Sequence, residues 1–108
     1  MLKGKALTVC GPVEPEKLGA VMMHDHLHVD FYDWKKQERI PEEKPCTPER
    51  RQYLLDDAVP LLKECRKYGM GAFVDPSFAP WRAWPDVYEK VSERSGVHIV
   101  LCTGFYRE

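Results

Sequence analysis

The stretch AVMMHDHLHV, Ala20 to Val29, sets a short apolar run directly against three of the chain's four histidines. Ala20 to Met23 reads as a strand. Alternate side chains of a strand share a face, so His24 and His26 project the same way, with Cα atoms about 6.6 Å apart by strand rise. Two imidazoles at that spacing can converge on one divalent metal. The residue types alone equally allow histidines exposed at a strand end or hydrogen-bonded in a core. His28 joins the same face only if the strand continues. Carried backward, the alternation places Ala20 and Met22 with the histidines and Val21, Met23, Asp25 and Leu27 opposite. Both faces are largely apolar, the pattern of a parallel strand covered on both sides.

Upstream, KALTVC and the run from Ala20 flank GPVEPEKLG, so a strand, a turn rich in Pro and Gly, and a second strand are expected as a hairpin or strand pair. Downstream, positions 30–45 are irregular and charged, as in a long loop on one face. Thr47-Pro48-Glu49 is a helix start: a threonine N-cap, a proline at the first helical position and an acid at the positive dipole end. Tyr53, Leu54, Ala58, Leu61, Leu62 and Cys65 then form a stripe at helical spacing, and Pro60 should kink or divide that helix. Gly69 stops it. Gly71 to Asp75 (GAFVD) is a short buried strand, Pro85-Asp86 opens a second helix that ends at Gly96, and VHIVLCTGFY is the clearest strand in the chain.

The order from Ala20 is strand, loop and helix, strand, loop and helix, strand. Such alternation predicts an α/β fold with parallel strands and right-handed helical crossovers. Sites in such folds sit at the C-terminal strand ends. Asp75 ends the second of these strands, where it is either a turn cap or a carboxylate holding a metal-bound histidine from behind. Thr103-Gly104 ends the third, followed by Phe105 and Tyr106, which belong either to the core or to a substrate pocket. Trp34, Trp81 and Trp84 lie in loops at that edge, lining a cleft or packed beneath the loops.

The bulk numbers bound the rest. The 108 residues suit one domain. Sixteen basic and seventeen acidic residues leave a net charge of −1 with no basic block, so no nucleic acid is expected as a partner. No apolar run approaches the roughly 20 residues of a membrane helix, and the first residues lack a signal-peptide core. A cytoplasmic location with no membrane partner follows as the expectation. Cys10, Cys46, Cys65 and Cys102 form no CxxC pair and read as reduced thiols.

LTVCGPVEPEKLGAVMMHDHLHVD resembles the opening of the phosphotriesterase family of the amidohydrolase superfamily, in which an N-terminal strand pair leads to a first barrel strand ending in His-x-His. GMGAFVD and SGVHIVLCTGFYRE resemble the family's second and third strands. Asp25 stands where Glu is common, Met23 where Thr is usual, and Trp81-Arg82-Ala83 where the family has Gly-Arg-Asp. The resemblance implies a TIM (β/α)8 barrel, of which this chain holds the first three strand/helix units after a β-hairpin. One partial domain over 1–108 is expected, with 1–19 as N-terminal strand and turn and 20–108 as barrel. It further implies two divalent metals, usually zinc, with His24 and His26 as ligands, no other catalytic residue in this chain, and a small-molecule ester, lactone or phosphotriester attacked by metal-activated hydroxide. A closed barrel takes about 250 residues. The chain alone is therefore expected to be inactive, completed by the rest of the barrel or by another chain. The alternative is a non-catalytic partial barrel that binds a metal or a partner.

Overall fold

The computed structural model describes residues 3–28, 32–33, 36–39, 47–77 and 82–103. A hairpin comes first, β1 (Ala6–Thr8) pairing antiparallel with β2 (Gly11–Val13). The sequence reading had placed Gly11–Val13 in the turn and the strand partner at Ala20. Pro12 is tolerated because a strand with only one partner leaves one row of N–H groups unpaired, so the missing donor costs little. A short 3-10 turn, Pro15–Lys17, leads to β3 (Ala20–Met22). Within the tract expected to be an irregular loop, β4 (Tyr32–Asp33) and β5 (Glu38–Arg39) form a two-residue antiparallel ribbon.

Helix α1 (Pro48–Lys67) starts where expected, the Thr47 side chain accepting the Arg50 N–H at 3.2 Å. It runs without division through Pro60. Both Pro60 and Asp56, whose carbonyl loses its i+4 donor, are exposed, so water can satisfy that oxygen. The buried stripe is Leu54, Leu55, Ala58 and Leu62, whereas Tyr53 and Leu61 of the expected stripe stand 65% and 62% exposed. They lie on the flank turned away from the packed side.

β6 (Met70–Asp75), α2 (Pro85–Ser95) and β7 (His98–Leu101) follow in the expected order. Gly96 ends α2 in the left-handed conformation at φ 75°. The strands form one parallel sheet, β3-β6-β7, with β6 central. Phe73 packs with α1 residues Leu54, Leu55, Ala58 and Leu62, α2 residues Val87, Tyr88 and Val91, and Val97 and Ile99. Asp75, two residues beyond Phe73, shares its helix-facing side.

One feature departs from the expectation of a first strand covered on both faces. Met22 and Met23 are 49% and 71% exposed. Among the described residues β3 pairs only with β6, so its other edge is open. The N-terminal hairpin does not fill that edge: Val9 donates its N–H to the Ile99 carbonyl at 2.9 Å, beside β7. Close backbone packing fixes the entry to β3 and β6, because any Cβ on Gly71 would collide with the Leu18 carbonyl.

No helix of the described residues is long and apolar enough to cross a membrane. Cys10, Cys65 and Cys102 are free thiols. Cys46 lies outside the described residues.

Candidate metal centre

The histidine segment is the end of β3 continued as a turn. Strand geometry stops at Met22, and two N–H groups of the chain then pin it to the end of β6, one through a backbone carbonyl and one through a side chain. Asp25 N–H donates to the Val74 carbonyl at 3.1 Å, and Leu27 N–H donates to Asp75 Oδ2 at 2.9 Å. Asp25 Oδ1 accepts the His26 N–H at 2.8 Å and tightens the turn locally. The result brings His24 and His26 together edge-to-face, with ring centroids 5.2 Å apart. His28 turns elsewhere, its Nε2 3.2 Å from an Arg50 guanidinium nitrogen.

Asp75 organises the back of this turn from a fully buried position. Its Oδ2 accepts Leu27 N–H and the Tyr88 hydroxyl, the latter at 2.7 Å, and its Oδ1 accepts Ser77 N–H at 2.8 Å. Three donors offset the cost of holding a charge away from water. Oδ1 also lies 3.6 Å from His26 Nδ1. Asp75 thus caps the turns on either side of it, and stands close to the His26 ring without bonding to it. Burial, then the neighbouring Asp75 carboxylate and the hydrogen bond to it, raise the Tyr88 phenol far above its ordinary value, so it remains a donor.

Ser77 is a site residue the sequence did not single out. Its Oγ sits 2.5 Å from His26 Nδ1. Serine, histidine and aspartate side by side suggest a nucleophilic triad, but here hydroxyl and carboxylate approach the same ring nitrogen. A triad needs them on opposite nitrogens. What the arrangement does instead is engage Nδ1, and a histidine that binds metal through one ring nitrogen generally has the other engaged in this way.

The fit to a metal is partial. His24 and His26 supply two imidazoles on a braced turn, and among the described residues no third His, Cys, Asp or Glu completes a group able to hold an ion. Zinc sites take three or four protein ligands. Phe105, Tyr106, Trp34 and Trp81 lie outside the described residues. Trp84 is half-buried against the core, which is the packing alternative, and Arg82 donates to the Cys102 carbonyl at 3.0 Å.

A profile of the Phosphotriesterase family matches residues 4–108. The chain belongs to the phosphotriesterase family. Among its relatives, the N-acetyltaurine hydrolase of Homo sapiens is 30% identical over 125 residues, covering 97% of this chain and 36% of that protein. A phosphotriesterase-related protein of Nematostella vectensis is 25% identical, with 98% and 37% covered. The chain therefore spans about a third of the length of these relatives. Among solved phosphotriesterase structures, a mutant organophosphorus hydrolase from Deinococcus radiodurans superposes with a TM-score of 0.77 at 25% identity, covering 96% of this chain and 29% of that one. A lactonase engineered toward organophosphate hydrolysis gives 0.72 at 22% identity, with 90% and 28% covered. Both likenesses match a partial barrel, as the family resemblance had implied.

Proposed function

We propose that this chain forms the first part of a metal-dependent hydrolase, contributing His24 and His26 as ligands to a divalent metal, zinc by preference and one of a pair. The carrying observation is His26 itself: Nδ1 is engaged by Ser77 at 2.5 Å with an Asp75 oxygen 3.6 Å away, while the His24 ring stands 5.2 Å off, centroid to centroid. A divalent metal held there supplies water activation near neutral pH and polarises the carbonyl or phosphoryl oxygen under attack. The chain's own part is to orient two imidazoles on a turn anchored to β6 through the Val74 carbonyl and the Asp75 carboxylate. Asp75 and Ser77 keep the His26 ring from rotating. Phe105 and Tyr106, which follow the end of β7 in the chain, are assigned to the wall of the substrate pocket at the same sheet edge.

The substrate is a small molecule with an acyl or phosphoryl bond to cleave. Lactones, carboxylic esters and phosphotriesters fit the family chemistry, and the named activity of the relatives adds the amide of N-acetyltaurine. The open edge of β3 and the two-ligand set support completion by further barrel strands. Elemental analysis of the full-length protein tests the reading. A His24→Asn, His26→Asn double variant that keeps its fold should lose bound metal and turnover of all four substrate types. Unchanged metal stoichiometry would remove the assignment.

A further inference from the structure

We propose that Tyr88, on helix α2, is a positioning residue for the histidine pair, acting through Asp75. The proposal rests on the metal-binding reading above and extends it to the outer helical layer. Tyr88 is fully buried among apolar neighbours, and its ring belongs to the same cluster as Val87, Val91 and Phe73. A phenylalanine would fill nearly the same volume, and a buried hydroxyl carries a desolvation cost that packing does not require. The hydroxyl donates to Asp75 Oδ2 at 2.7 Å, and the backbone of Ala83 is hydrogen-bonded to it as well.

That oxygen also accepts Leu27 N–H, from the residue directly after His26. The carboxylate torsion of aspartate is broad when unconstrained. With a phenol from α2 and a backbone N–H from the histidine turn converging on Oδ2, the carboxylate plane is fixed. Oδ1 is thereby aimed at Ser77 N–H and the Nδ1 edge of His26. Among the described residues no hydrogen bond or ring contact joins Tyr88 to either histidine, yet it sets the group beside one of them. An outer helix thus reports on, and controls, the geometry at the sheet edge.

The test is Tyr88→Phe in the full-length protein, titrated with Co2+ against a chromophoric chelator while the visible ligand-field bands are recorded. Loss of an outer partner of a metal-binding histidine typically weakens the metal about 10–100-fold, and that loss with altered bands is the expected result. Val91→Ala, which loosens the same helix without touching the hydrogen bonds, controls for a purely structural role and should leave affinity and spectrum unchanged. An affinity within about twofold of wild type and an unaltered spectrum for Tyr88→Phe would overturn the proposal. Should the variant not fold, wild-type protein labelled with fluorotyrosine replaces it: the buried Tyr88 19F resonance should shift on Co2+ or Zn2+ binding, and a stationary resonance overturns the proposal. His24→Asn, His26→Asn protein run alongside separates the two readings. If it binds Co2+ as wild type does, both fail; if only Tyr88→Phe is without effect, the histidine assignment stands alone.

Discussion

The Ser77 hydroxyl lies 2.5 Å from Nδ1 of a histidine 51 positions earlier in the chain, His26, so the end of β6 grips the ring that leaves β3. Ser77→Ala removes that grip while changing little volume. Metal affinity of the full-length protein is expected to fall about tenfold or more, with the unfolding midpoint nearly unchanged. Chelator competition and a thermal melt, run on the same preparation, check both halves.

Asp75→Asn tests the buried carboxylate. An amide presents two N–H donors where Leu27 N–H, Ser77 N–H and the Tyr88 hydroxyl all need an acceptor. At least one donor is left facing another donor. A loss of about 2–4 kcal/mol in urea unfolding is expected, since bonds to a charged acceptor go and a buried donor is stranded.

Raising the pH tests Tyr88. Its phenol holds its proton more tightly in the folded protein than in the unfolded chain, chiefly through burial and then through the Asp75 charge. The stabilisation is fully present below about pH 10, the ordinary tyrosine value. Above that the unfolded chain ionises while folded Tyr88 does not, and stability declines. Urea midpoints from pH 8 to 11 should fall more steeply for wild type than for Tyr88→Phe; parallel curves would contradict the assigned cause.

Gly71→Ala probes the entry to the sheet. The new methyl meets the Leu18 carbonyl, which is backbone and cannot swing aside. The expected cost is about 1–3 kcal/mol, the usual range for overpacking, measured by chemical denaturation.

Residues 1–108 expressed alone and loaded with zinc are expected to show no multiple turnover of a lactone, an ester, a phosphotriester or N-acetyltaurine above the double-asparagine control. A catalytic zinc needs about three protein ligands, and the described residues bring two histidines together. Turnover by a monomer would mean that the chain supplies the missing ligands itself.

Features set by neighbouring residues were readable in advance. Thr47 and Gly96 mark helix ends because capping is a contact with the adjacent turn, and β6 and β7 announce themselves as apolar runs between breakers. His24 and His26 do come together, but through a turn braced by Val74 and Asp75 rather than through the strand alternation that had suggested it. Gly11–Val13 misled because Gly and Pro mark turns more often than edge strands. The ribbon of β4 and β5 is too short to carry a period. Ser77 and Tyr88 were invisible for a different reason: one directly follows a proline after a strand, the other holds an ordinary core position of a helix, and each acquires its role through a residue distant in sequence, His26 for Ser77 and Asp75 for Tyr88.

The bond from Val9 N–H to the Ile99 carbonyl gives the hairpin a waiting time. β1 and β2 leave the ribosome before the other described elements, and the strand that receives them is made last among these. At synthesis rates of about 5–20 residues per second, the hairpin spends roughly 5–20 s with its docking partner not yet made. Leu7, 58% exposed even after docking, marks the kind of surface that must stay soluble through that interval. Nascent chains stalled before Ile99 should therefore recruit holding chaperones at the N-terminal hairpin, and release them once β7 has emerged.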